Sequence, residues 1–202
     1  MSNSIDVWLS IGSTYTYLAV MRIEALAARE GVDLRWRPFS VRQLMVEQNN
    51  IPFRDKPVKS AYMWRDIARR AAGYGFEPKL PVPYPLLHWD LVNRIAVAAA
   101  REGWCALYVT ETYRRWFEAG EEPGEPATLS ETLHACGQDQ ATILAHAVSD
   151  EIGAAYQAAT DEARSLGIFG SPTFVARGEL FWGNDRLEDA MQWEKAGRLN
   201  LI

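Results

Sequence analysis

With 202 residues, 48% hydrophobic content and a net charge of −5, the chain is long enough for one large domain or two small ones. The charge argues against nucleic acid as the main partner, because phosphate binding draws on clustered Lys and Arg and no basic stripe is visible. No apolar signal region follows Met1-Ser2-Asn3-Ser4 and no apolar run is long enough to cross a bilayer, so the expected location is the cytoplasm, with no membrane partner.

The elements follow in chain order. The apolar run Ile5 to Leu9 predicts a strand. Ser10-Ile11-Gly12-Ser13 then predicts a turn, and the spacing of Tyr17, Val20, Met21, Ile23, Leu26 and Ala27 predicts an amphipathic helix. Val32, Leu34 and Trp36 alternate as a second strand. From about Val41 to Leu166 the apolar spacing is helical, as at Ala61, Met63, Trp64, Ile67, Ala68 and Ala71 and at Leu91, Ile95, Val97 and Ala98. Pro78, Pro81, Pro83 and Pro85 separate these two stretches as an extended connector, Gly120 to Pro126 forms an acidic loop, and Ser149 to Leu166 predicts a closing helix. Gly170-Ser171 marks a turn and Pro172 opens the strand Thr173 to Val175, where its missing N–H owes the ladder nothing. A tight turn at Arg177-Gly178, a strand from Glu179 to Trp182 and a helix start after Gly183 complete the chain. The order is β-α-β at the front and β-β-α at the back, with no internal repeat.

Three separated segments resemble the 2-hydroxychromene-2-carboxylate isomerases, relatives of kappa-class glutathione transferases and of disulfide oxidoreductases. Ser13 to Ala19 matches the motif Ser-Pro-(Tyr/Phe)-Ser-Tyr-Leu-Ala, with Thr14 for the proline and Thr16 for the second serine. Lys59, Tyr62, Met63, Asp66 and Ile67 match a middle motif, and Phe169 to Leu187 matches the last without a gap. The resemblance implies an α/β, thioredoxin-like fold with a large all-helical insertion. In it, residues 1–40 and 167–202 form the split thioredoxin-like domain and 41–166 the insertion. It also implies glutathione as cofactor, a small aromatic substrate and a homodimer.

A thioredoxin fold places a cysteine at the start of its first helix, where unpaired N–H groups and the helix dipole stabilise a thiolate. This chain has Ser13 there and Thr16 where a second cysteine would stand, so disulfide exchange is excluded at that site. Its two cysteines, Cys105 and Cys136, form no C-x-x-C and read as ordinary buried or half-buried thiols. What is left is an anion-stabilising position that can hold the thiolate of a bound glutathione, with the Ser13 hydroxyl donating to its sulfur. On local sequence alone Ser13 reads as a helix N-cap.

Asp185, three residues before Glu188, reads locally as a capping box for the last helix. By resemblance the turn at Asn184 and Asp185 grips the γ-glutamyl end of glutathione. A cis Pro172 would let the Ser171 backbone pair with the cysteinyl unit, and Asn50 and Lys59 would approach the glycyl carboxylate. Tyr15, Phe53, Tyr62, Trp64 and Trp182 lie beside motif positions and suit a flat aromatic substrate, with Arg54 a candidate for its carboxylate unless it pairs with Asp55 or Glu47. The expected activity is a glutathione-dependent isomerisation of 2-hydroxychromene-2-carboxylate, or a related aromatic α,β-unsaturated keto acid, in aromatic-compound breakdown. A kappa-like glutathione transferase or peroxidase and a non-catalytic glutathione-binding protein are the rivals.

Overall fold

A computed structural model describes residues 3–53 and 55–199. Its sheet has four strands in the order β2-β1-β3-β4, formed by β1 (Ser4–Leu9), β2 (Asp33–Pro38), β3 (Thr173–Ala176) and β4 (Glu179–Trp182). β1 runs parallel to β2, with Val7 opposite Trp36, and antiparallel to β3, with Val7 opposite Phe174. β3 and β4 form a hairpin through Arg177 and Gly178, both at positive φ (49° and 80°), the geometry a two-residue connection between right-twisted strands demands.

Alternation along the two inner strands sends side chains to two separate cores. Ile5, Val7, Leu9, Phe174 and Ala176 face the larger one, with α1 (Thr16–Glu30) and α9 (Leu187–Ala196). Trp8 and Val175 face the other way, where Trp8 meets Phe39 edge-on at 5.8 Å beneath α2 (Val41–Glu47) and α8 (Asp150–Ser165). Both inner strands are therefore covered on each side. β4 stands at an edge, and its Leu180 and Trp182 remain exposed.

Between β2 and β3 lie α2, α3 (Pro57–Tyr74), α4 (Trp89–Glu102), α5 (Cys105–Arg114), a π turn (Arg115–Ala119), α6 (Pro126–Ala135), α7 (Gln140–Ala147) and α8. Ser149 caps α8, its hydroxyl accepting from Ile152 N. The proline connector packs onto the π turn: Trp116 Nε1 donates to Pro83 O (2.8 Å) and Lys79 N to Phe117 O (2.7 Å). Phe117 stacks on Tyr17 of α1 with ring centres 4.2 Å apart, which joins the insertion to the first helix. Among the described residues, no helix is long and apolar enough to cross a membrane.

Candidate functional site

The loop from Ser10 to Tyr15, at the carboxyl end of β1, is where the two ends of the chain meet. Ser13 Oγ donates to Ser171 O at 2.6 Å, across 158 positions of sequence. Ser10 N donates to Ser171 Oγ (2.9 Å), and Thr16 Oγ1 lies 3.0 Å from the same hydroxyl. The Ser171-Pro172 peptide is cis. Ser171 is buried while Ser13 is only half-buried, so the loop has a fixed inner side and an accessible outer one.

Two residues from the insertion hold this loop, and neither was singled out in the sequence. The Asn93 carboxamide accepts from Ile11 N (2.7 Å) and donates to Ile11 O (2.8 Å). Tyr113 Oη donates toward Ser13 O (3.0 Å) and Ser10 O (3.3 Å). Asn93 left a signal, an amide on an otherwise apolar stretch of α4 that must find partners when buried. Tyr113 left none, since a buried tyrosine is ordinary core until its hydroxyl is traced.

The local reading of Ser13 as a helix cap is corrected. α1 begins at Thr16, its N-cap is Tyr15, and no side chain caps it. The Ser13 hydroxyl is free of that duty because it reaches across to Ser171. Thr14, where the resembled motif has proline, donates instead to Met63 Sδ on α3 at 3.0 Å. Next to it Tyr15 Oη donates to Asp66 Oδ2 (3.1 Å). The first and middle motifs thus pack on one another.

Asp66 accepts from Arg69, Arg70 and Tyr15. Burial alone would raise its pKa, but these three donors outweigh burial and hold the carboxyl below its usual value. Tyr15 moves the other way, to about 12, through burial first and the Asp66 charge second. Asp185 adds to the positive bias of Arg70, so α3 and the turn after β4 share one electrostatic neighbourhood.

The turn after β4 is tied to the cis-proline strand, with Gly183 N donating to Pro172 O at 2.9 Å. Gly183 has φ 107°, a backbone conformation that side-chain-bearing residues rarely adopt, so the turn favours glycine there. The capping box is the second local reading to be corrected. Asn184–Arg186 form a 3₁₀ turn, Arg186 is the N-cap of α9 without a side-chain bond, and Glu188 pairs with Arg22. Arg22 also donates to Asn184 O (2.6 Å), which pins the turn to α1. Asn184 is buried, and its Oδ1 has no hydrogen-bond partner among the described residues.

Lys59 lies one helical turn before Met63 on α3, exposed, with Nζ 5.6 Å over the Phe53 ring. Asn50 is exposed in the loop that follows α2, where Asn49 takes positive φ. Arg54 lies outside the described residues, and Glu47, one of the partners weighed for it, pairs with Arg164 at 2.8 Å. Of the aromatics flanking the motifs, Phe53 and Trp64 both meet Tyr84 edge-on, at 6.3 and 5.8 Å. Trp182 instead covers Gly170, where a Cβ would fall 2.2 Å from its Nε1. Cys105 and Cys136 are buried in the insertion. Burial pushes the Cys136 thiol up to about 11 and that of Cys105 further.

The sequence pattern of the DSBA-like thioredoxin domain matches residues 4–192. The chain belongs to the DSBA-like thioredoxin family. Within it, the chain is 27% identical over 190 residues to a 2-hydroxychromene-2-carboxylate isomerase of Sphingobium xenophagum, covering 93% of this chain and 96% of that protein. A 2-hydroxychromene-2-carboxylate isomerase of Pseudomonas putida is 28% identical over 188 residues, covering 91% of this chain and 90% of the other. A solved 2-hydroxychromene-2-carboxylate isomerase superposes with a TM-score of 0.84 at 25% identity, covering 96% of this chain and 98% of that one. The cytosolic disulfide reductase DsbM of Pseudomonas aeruginosa, solved with GSH, shares the fold at a TM-score of 0.64 and 16% identity, over 95% of this chain and 96% of the other.

Proposed function

We propose that the protein is a glutathione-dependent isomerase of 2-hydroxychromene-2-carboxylate or a related aromatic α,β-unsaturated keto acid, working by reversible thiolate addition. The observation that carries this reading is the Ser13 hydroxyl, set 2.6 Å from Ser171 O in a cysteine-free loop ahead of α1. Relatives named for this isomerisation match the chain over nine-tenths of its length, which supports the choice of reaction.

The residues fit glutathione. Asn184 Oδ1 is a buried acceptor without a donor, in the turn that Gly183 N ties to Pro172 O, and it suits the N–H groups of the γ-glutamyl end together with the Asp185 carboxylate. Lys59 and Asn50 supply a cation and an amide for the glycyl carboxylate, and Ser171 and Pro172 flank the cysteinyl unit. When bound, glutathione would supply a thiolate for reversible addition to the carbon β to the ketone of the ring-opened acid, so that the double bond can isomerise with no net redox change. Ser13 orients its hydrogen from Ser171 O to the sulfur and so favours the charged form. The loop that holds it is fixed by Asn93 and Tyr113, so little reorganisation accompanies the reaction. Phe53, Trp64 and Tyr84 offer edges and faces to a flat ring, and Arg54 is assigned to the substrate carboxylate. Family resemblance points to a homodimer, and we place it in the cytoplasm.

The test is interconversion of the chromene acid and its o-hydroxybenzylidenepyruvate isomer with and without glutathione. Turnover that appears only with glutathione supports the reading. No turnover, or turnover indifferent to glutathione, removes it, and release of a stable conjugate or of oxidised glutathione would make the protein a transferase or peroxidase instead.

A further inference from the structure

α1 connects the two ends of the candidate glutathione site. Its N-terminus follows Ser13, and six residues beyond Thr16, about 9 Å along the axis, Arg22 reaches the turn after β4. The Arg22 side chain is 10% exposed, and its guanidinium is held on several sides. Nη2 donates to Asn184 O (2.6 Å) and to Glu188 Oε2 (3.1 Å), Nη1 donates to Glu188 Oε1, and Nε donates back to Leu18 O (3.1 Å). The Tyr74 ring, at the end of α3, has its centre 4.5 Å from the guanidinium carbon.

This arrangement gives the two oxygens of Asn184 different fates. Its backbone carbonyl is taken by Arg22, while its buried side-chain Oδ1 has no hydrogen-bond partner among the described residues and is left for an incoming donor. A 3₁₀ turn of three residues has little stiffness of its own, so the directions of Oδ1 and of the Asp185 carboxylate depend on what anchors the turn. Gly183 N anchors one side through Pro172 O (2.9 Å), and Arg22 anchors the other.

We infer that Arg22 is a positioning residue for glutathione, fixing the Asn184-Asp185 turn against α1 so that the γ-glutamyl end and the thiol are received at a set separation. The inference rests on the glutathione reading above and adds to it a residue that acts through the turn. A guanidinium suits the task because its planar fork spans Asn184 O and the Glu188 carboxylate at once, where an ammonium is a compact point charge.

Titration calorimetry with glutathione and with cysteinylglycine, which lacks the γ-glutamyl unit, tests it on the whole protein. Arg22→Gln should weaken glutathione about tenfold and leave cysteinylglycine within about twofold, so the preference for the longer thiol falls. Arg22→Lys, which keeps the charge and most of the stem, should lose severalfold of that preference and carries the test if Arg22→Gln does not fold. An equal loss for both thiols would overturn the inference, because a merely structural role acts on the whole site. Wild-type protein that binds no glutathione would remove the glutathione reading and this inference with it. Wild-type binding with an unaltered preference in the variants would remove only the role of Arg22.

Discussion

Asn93 clasps Ile11 with two hydrogen bonds, one at 2.7 Å and one at 2.8 Å, joining a helix of the insertion to the loop that carries Ser13. A third bond, from its Nδ2 to Trp89 O (2.7 Å), completes the carboxamide's satisfaction. Asn93→Ala leaves Ile11 N–H and C=O buried without partners and should destabilise the fold by about 2 kcal/mol or more, measured by urea unfolding. Asn93→Asp distinguishes the cause: it keeps the acceptor for Ile11 N but faces two carbonyls with no donor, so it should be no better than alanine.

Ser13→Ala removes the donor to Ser171 O, at a cost of about 1 kcal/mol to the free protein. Its larger effect is expected on the bound thiol. A hydrogen bond to a charged group is worth about 1.5–3 kcal/mol, so the thiol pKa should rise and turnover fall by roughly one to two orders of magnitude. Glutathione affinity should change little. Thiolate absorbance titrated against pH in both proteins reads the first effect, and full activity with an unchanged pKa would show that another group holds the sulfur.

Tyr15 gives a prediction about alkaline stability. Its folded pKa is raised to about 12 from 10.0, so the native state holds the proton more tightly than the unfolded chain. The contribution is fully present below pH 10 and is lost as pH climbs toward 12. Tyr15→Phe should therefore lower stability at neutral pH, through the lost bond to Asp66, and flatten the decline between pH 10 and 12. Chemical denaturation of both proteins at pH 7, 10 and 11 provides the comparison.

The protein should be inert as a disulfide reductant. Burial holds both thiols in their protonated form at neutral pH, and neither lies in the loop before α1. An insulin-reduction assay should show no turnover, and a thiol reagent should react slowly with native protein and fully in denaturant. Turnover that survives Cys105→Ala and Cys136→Ala would contradict this reasoning.

Much of the architecture was legible because strand and helix periods differ. The alternation in Leu34 and Trp36, the turn at Arg177-Gly178 and the closing helix from Ser149 each follow from local chemistry, and each appears where that chemistry puts it. The two local readings that failed, at Ser13 and at Asp185, failed for one reason. Both residues sit a few positions ahead of a helix in sequence, but their surroundings are set by distant partners: Ser13 by Ser171, and the Asp185 turn by Arg22 and Pro172 O. Capping rules consider a few neighbouring residues and cannot weigh a partner 158 positions away. The role of Tyr113 was invisible for the same cause, since its contacts depend on how separate helices pack.

The chain-spanning bond between Ser13 and Ser171 also sets a schedule. During synthesis β1, α1 and β2 leave the ribosome early, and the helices of the insertion can gather while translation continues. β1 nevertheless lacks its antiparallel neighbour until Thr173 to Ala176 emerges, and Ser13 has no acceptor until Ser171 does. At about 5–20 residues per second, roughly 8–30 s pass in which Ser13 has been made and its partner 158 positions on has not. The loop thus becomes a finished site only near the end of synthesis: a nascent fragment stopping before Ser171 contains its anchors Asn93 and Tyr113 but not the acceptor of the Ser13 hydroxyl.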